Sequence, residues 1–75
     1  MKTEFTGDTL MEQRALTLHI GRAKSNVRSL LEASDAYRRY LDDECLGVRD
    51  APDCKVSDGA KVIATVSYNG RVWAP

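Results

Sequence analysis

The chain has 75 residues, enough for one small domain but too few for a substrate domain beside a catalytic one. Apolar residues make up 43% of the chain and charged residues 29%, a balance that supports a hydrophobic core and argues against disorder. Eleven basic and eleven acidic side chains give a net charge of zero. A polyanion such as nucleic acid is usually bound by an excess of positive charge, so the overall balance does not favour that class of partner.

The first residues alternate between apolar and polar side chains, and this period of two predicts a short strand over residues 1–6. No apolar run follows Lys2, so we expect no signal peptide. No stretch of the sequence approaches the ~20 apolar residues that a membrane span requires. We therefore expect a cytoplasmic protein without a membrane partner.

Thr9 and Glu12 have the spacing of a capping box, which predicts that a helix starts at residue 9. From Leu16 onwards, residues spaced three or four apart form one stripe, which is apolar except for Ser34. The stripe consists of Leu16, Ile20, Ala23, Val27, Leu30, Ser34, Tyr37, Leu41 and Cys45. Gly47 is suited to the left-handed position that ends many helices. These features predict a helical portion over residues 9–46.

A continuous helix of that length would extend about 55 Å, far longer than a compact domain of this size. One solution is a break near Gly21 or Ser25-Asn26, which would fold the segment into a helical hairpin. The other is a continuous helix that pairs its stripe with a second copy, as in a heptad seam. The sequence does not decide between the helical hairpin and the continuous helix, and it leaves a homodimer open.

A loop over residues 47–53 precedes a segment rich in β-branched residues. Asp58-Gly59 and Asn69-Gly70 are turn signals, and we expect positive φ angles at both residues of the second pair. They predict a three-stranded antiparallel meander over residues 54–74. Its core face would carry Val62, Ala64, Val66, Tyr68 and Trp73. The fold class predicted for a single domain over residues 1–75 is α+β, an N-terminal helical portion packed on this C-terminal meander.

Charge divides along the chain despite the neutral total. Residues 14–39 hold six basic and two acidic side chains, and residues 40–58 hold six acidic and two basic ones. The acidic side chains of interest are Asp42, Asp43, Glu44 and Asp50. The basic ones are Arg22, Lys24, Arg28, Arg38 and Arg39. Such an asymmetric distribution can steer and orient a partner of complementary charge.

The residues that carry enzyme chemistry do not form a recognisable motif. Cys45 and Cys54 fall short of a zinc site, and the sequence leaves free thiols, a disulfide or metal use open. His19 has no nucleophile or acid placed near it by sequence. We expect no catalytic site, no cofactor and no metal.

Tyr68, Arg71 and Trp73 belong to the residue types enriched in protein–protein hot spots. Together with the acidic stretch they predict a non-enzymatic protein-interaction module that regulates or inhibits a larger protein complex. Phage and mobile-element accessory proteins, including inhibitors of host defence such as anti-CRISPR proteins, are a class of this size. The alternative is a small dimeric nucleic-acid-binding regulator that uses the basic residues of the helical region.

Overall fold

A computed structural model describes residues 3–47 and 49–75. These residues form one six-stranded antiparallel sheet with strand order β1-β6-β5-β4-β2-β3. The strands are β1 (Glu4–Phe5), β2 (Leu16–Ile20), β3 (Ala23–Val27), β4 (Cys54–Asp58), β5 (Lys61–Val66) and β6 (Val72–Trp73). The helices are α1 (Asp8–Met11) and α2 (Leu30–Asp43).

The predicted helical portion over residues 9–46 is wrong. Its middle section is the hairpin of β2 and β3, and only α2 is a long helix. The described residues extend 29 × 25 × 19 Å, so a helix of about 55 Å would not fit. A helical hairpin and a continuous dimer seam are both excluded, because Leu16, Ile20 and Val27 lie in strands.

The hairpin forms because apolar and polar side chains alternate along β2. Leu16, Leu18 and Ile20 are buried, whereas Thr17 and His19 between them are half-buried. Gly21 begins a two-residue turn with a φ of +58°, which a side chain would resist, and its amide donates to the Asp53 carbonyl (2.9 Å). Over residues 16–27, the spacing of four and three that suggested a helix is therefore a coincidence of alternating strand residues.

The predicted separate three-stranded meander is also wrong. Strands β4, β5 and β6 are one half of the larger sheet, and β4 pairs with β2 on its other side. The turn between β4 and β5 consists of Gly59-Ala60 rather than Asp58-Gly59. The loop between β5 and β6 has three residues, Tyr68-Asn69-Gly70, and Gly70 alone has a positive φ. The expected positive φ at Asn69 is thus not found.

The longer loop changes the register by one residue. Val66 pairs with Val72, and Thr65 pairs with Trp73. Since neighbouring residues of a strand point to opposite faces, Val72 lies in the core and Trp73 on the other face. Trp73 was predicted on the core face. Val62, also predicted there, is 38% exposed beside a β-bulge at Val56 and Ser57.

Helix α2 covers one face of the sheet. Its N-terminus is capped by Ser29, whose Oγ accepts a hydrogen bond from the Glu32 amide (3.1 Å). The capping box predicted at Thr9 does not form, because α1 begins after Gly7 without a side-chain cap. The buried residues of α2 are Leu30, Ala33, Ser34, Tyr37 and Leu41. Against them pack Leu16, Leu18, Ile20, Val27, Cys54, Val56, Ala64, Val66 and Val72 of the sheet.

The end of α2 is a Schellman motif. The Leu46 amide donates to the Leu41 carbonyl (2.9 Å), and the Cys45 amide donates to the Asp42 carbonyl (3.1 Å). Cys45 has a φ of +53° and takes the left-handed position that was predicted for Gly47. The next residue, Val48, lies outside the described residues, as do Met1 and Lys2 of the predicted N-terminal strand.

The second face of the sheet is open. Lys24, Asn26 and Lys55 on this face are exposed, and His19 and Thr65 are half-buried. An antiparallel sheet commonly has one face on the core and one face in solvent. Among the described residues, no helix combines the length and apolar character needed to cross a membrane.

Candidate protein-interaction surface

The C-terminal end of α2 concentrates negative charge. Asp42 and Asp43 are the last two residues of the helix, Glu44 follows as its cap, and all three are exposed. The last turn contains no basic residue. Carboxylates at this end add to the partial negative charge of the helix dipole, so their placement is mildly unfavourable for the isolated protein.

None of these carboxylates forms an ion pair within the described residues, although Arg38 and Arg39 lie one turn earlier on α2 and line a cleft with Asp42. Both ion pairs found there are made by Arg14, with Glu12 (4.0 Å) and with Asp58. Asp42, Asp43, Glu44 and the exposed Asp50 of the following loop take part in neither. All four side chains are exposed and accessible to a partner.

An exposed aromatic side chain lies beside this acidic end. Tyr68 is 44% exposed at the loop between β5 and β6. It lines a cleft of about 240 Å³ together with Asp42, Leu41 and Leu46 of the helix end. The cleft is completed by Arg38 and Asn69. Residues far apart in sequence thus form one surface with an acid, an aromatic ring and apolar side chains.

Tyr68 also borders a second cleft of about 630 Å³ on the other side of the loop. This larger cleft reaches Trp73, Lys55 and Asp53. The Trp73 Nε1 donates to Ser67 Oγ (3.2 Å), and Ser67 Oγ in turn donates to Asn69 Oδ1 (2.5 Å). These bonds hold the indole and the loop in a fixed arrangement.

The structure keeps the other predicted residues apart. Arg71 is exposed and lines neither cleft, and Trp73 borders the larger cleft but not the cleft that contains Asp42. The residues of the nucleic-acid alternative are dispersed. Arg22 lies in the β2–β3 turn, Lys24 on β3, Arg28 beyond β3, and Arg38 and Arg39 on α2.

Two ionisable groups that border the larger cleft, Cys54 and Tyr37, have raised pKa values. Burial raises the pKa of the Cys54 thiol to about 12. Burial, followed by the nearby Cys54 and Asp53, raises the pKa of Tyr37, whose hydroxyl donates to the Pro52 carbonyl (2.6 Å). Neither group is an activated nucleophile at neutral pH. Cys54 and the exposed Cys45 are both free thiols.

The polar pair of His19 and Ser57 was not predicted from the sequence. His19 Nε2 and the buried Ser57 Oγ are joined by a hydrogen bond of 2.8 Å on the open face of the sheet. Only the pairing of β2 with β4 brings them together, so no local spacing could have revealed the contact. Among residues 3–47 and 49–75, no three potential metal-ligating side chains cluster together.

Comparison with known proteins gave no match: no family model, no curated protein and no solved structure is similar to this chain at the significance required.

Proposed function

We propose that this protein is a small non-enzymatic interaction module that regulates or inhibits a larger protein or protein complex. The observation that supports the proposal is the cleft that Tyr68 shares with Asp42, at the acidic end of α2. Asp42, Asp43, Glu44 and Tyr68 are together called the acidic–aromatic surface.

The chemistry of this surface fits a basic segment of a partner protein. A Lys or Arg side chain can ion-pair with Asp42 while its cation lies over the Tyr68 ring. Leu41 and Leu46 provide apolar contact beneath it. Charge complementarity of this kind raises the association rate and selects the partner. The class of protein we propose is an inhibitor of a nucleic-acid-binding defence complex, made by a phage or mobile element. Its proposed location is the cytoplasm.

The placement of the acids strengthens the argument. Three carboxylates at a helix C-terminus each cost on the order of 0.3–1 kcal/mol of helix stability. A partner with positive charge would remove this penalty in the complex. Function rather than stability is then the reason for the arrangement.

The test begins with affinity purification from the native cell to identify the partner. Binding of the purified partner is then measured by calorimetry for Asp42→Lys combined with Asp43→Lys. We expect binding to weaken at least about tenfold. The free energy of unfolding should stay equal or rise slightly, because lysine suits the end of a helix dipole.

A matched control is Asp8→Lys combined with Glu12→Lys, which makes the same change of charge at exposed positions around α1. This variant should bind like the parent. Equal losses in both double variants would show that overall charge, not the acidic–aromatic surface, governs binding. Undiminished binding by the Asp42 and Asp43 variant would refute the proposed surface.

A further inference from the structure

The open face of the sheet carries one continuous row of side chains across all six strands. Residues paired in the register lie side by side on the same face, about 4.8 Å apart from strand to strand. The row runs Glu4, Trp73, Thr65, Lys55, His19 and Lys24. From Trp73 to Lys24 it spans roughly 19 Å.

Positive charge is concentrated at one end of this row. Lys55 and Lys24 are exposed and flank His19 on the two neighbouring strands. Neither lysine forms an ion pair within the described residues. The acid of the row, Glu4, lies at the opposite edge beyond Trp73. The lysine end therefore offers two ammonium groups to an anionic ligand.

Hydrogen-bonding groups lie next to the two lysines. Thr17 is paired with Asn26 on one side and with Ser57 on the other, which forms a second polar row. The bond between His19 Nε2 and Ser57 Oγ orients the imidazole. Its Nδ1 has no hydrogen-bond partner among the described residues. A phosphate held by the lysines would meet hydroxyl, amide and imidazole groups within the same surface.

Trp73 supplies the aromatic element at the other end. It is the one tryptophan of the chain, it is half-buried, and its indole is oriented by the hydrogen bond to Ser67. Thr65, a small side chain, separates it from Lys55. A sheet surface with an aromatic ring beside basic residues is suited to unpaired bases, which stack on the ring while the backbone follows the charges.

We infer that the open face binds single-stranded nucleic acid, with phosphates at Lys24 and Lys55 and a base stacked on Trp73. This activity is additional to the proposed protein interaction and uses the face of the sheet that α2 does not cover. The two surfaces adjoin at Tyr68, which borders the cleft that contains Trp73 and Lys55. The open face also differs from the nucleic-acid interface that the sequence predicts for the basic helical region, because, of those residues, it involves Lys24 alone.

The test uses the intact protein and labelled twelve-residue oligomers of thymidine and uridine. Binding should raise the anisotropy of the label and quench the fluorescence of Trp73. Lys55→Glu should weaken binding by about tenfold or more, and Trp73→Ala by at least about fivefold. Two phosphate contacts predict a slope near −1.4 for the logarithm of affinity against the logarithm of salt concentration.

Matched variants separate this face from general charge. Arg39→Glu makes the same charge change as Lys55→Glu at an exposed position of α2, and it should leave affinity nearly unchanged. Trp73→Phe is the second variant, for the case in which Trp73→Ala does not fold. It keeps an aromatic ring and should retain binding. Asp42→Lys with Asp43→Lys should not weaken oligomer binding, which distinguishes this proposal from the protein interaction.

Three results would overturn the inference. The first is no change in anisotropy or tryptophan fluorescence at about 100 µM protein, where weak nonspecific binding is normally detected. The second is an equal loss of affinity for Arg39→Glu and Lys55→Glu. The third is equal affinity for a duplex of the same length, because paired bases cannot stack on Trp73.

Discussion

At the scale of single residues, two backbone positions show how local conformation and side-chain identity can disagree or agree. Cys45 occupies the left-handed position of the Schellman motif with a φ of +53°, where most side chains are strained. Gly70 occupies a similar position with a φ of +88° and is well suited to it. The first position is a source of strain, and the second depends on glycine.

Replacing Cys45 by glycine should stabilise the protein. Cys45→Gly removes the strain of the positive φ, and we expect the free energy of unfolding to rise by about 1 kcal/mol. Urea denaturation measures the change. Glu44→Gly, one residue earlier at a φ of −92°, is the control and should destabilise instead. A stabilised Glu44 variant with an unchanged Cys45 variant would contradict the cap assignment.

Replacing Gly70 should be costly. A Cβ atom there would lie 2.8 Å from Cδ of Arg38 and 3.3 Å from Oγ of Ser34. Ser34 Oγ also donates to the Gly70 carbonyl (2.6 Å), which limits how far the loop can move. Gly70→Val should lower the free energy of unfolding by about 2 kcal/mol or more.

Gly47→Val provides the comparison for thermal denaturation. Gly47 has open space around it and no positive φ, so its variant should unfold near the temperature of the parent. If Gly70→Val melted within a degree or two of the parent, the assigned loop conformation would be wrong.

At the scale of elements, residues 9–46 show both the success and the failure of pattern analysis. The stripe is truly helical from Leu30 to Leu41, which are buried along α2. Before that, Leu16, Ile20 and Val27 satisfy a helical spacing and a strand alternation at the same time. Leu18 distinguishes the two patterns. It is completely buried between Leu16 and Ile20, which fits the alternation of a strand but not the helical spacing.

The observed Ser29 cap of α2 can be tested against the capping box that was predicted at Thr9. Ser29→Ala removes the hydrogen bond to the Glu32 amide and should cost about 1 kcal/mol in the free energy of unfolding. Thr9→Ala alters an exposed residue of α1 whose side chain makes no cap, so its effect should stay within about 0.5 kcal/mol. Urea denaturation of both variants is the measurement. Comparable losses would contradict the assignment of the N-terminus of α2.

At the scale of the whole molecule, long-range pairing explains why prediction stopped where it did. Local sequence predicts a two-residue loop at Asn69-Gly70, but the loop has three residues, and its Gly70 carbonyl accepts a hydrogen bond from Ser34 of α2. That one residue moves Trp73 to the open face. The joining of Tyr68 to Asp42 and of His19 to Ser57 depends on the tertiary arrangement and has no local counterpart.

The two thiols should respond differently to a thiol reagent and to pH. Cys45 is exposed and should react in the native state, whereas Cys54 should react only after unfolding. The Cys54 pKa rises from 9.0 to about 12 on folding, so the unfolded chain ionises first. Its stabilising contribution is present below pH 9 and is lost as the pH rises from 9 to 12.

Urea denaturation at pH 8, 9.5 and 10.5 follows this loss. Cys54→Ala lacks the ionising thiol, so its free energy of unfolding should decrease less steeply over the same pH range. Tyr37, whose pKa is also raised, acts in the same direction above about pH 10 and remains in both proteins. Equal slopes for parent and variant would assign the alkaline loss to other groups.

The position of β4 beside β2 has a consequence for the order of folding events. The pairings β2–β3, β4–β5 and β5–β6 each join neighbours in sequence and can form early. The β2–β4 pairing instead closes a segment over residues 21–53 that includes all of α2. Closing that segment costs chain entropy before the core contacts offset it. The central β2–β4 pairing is therefore expected to form later than the three local hairpins.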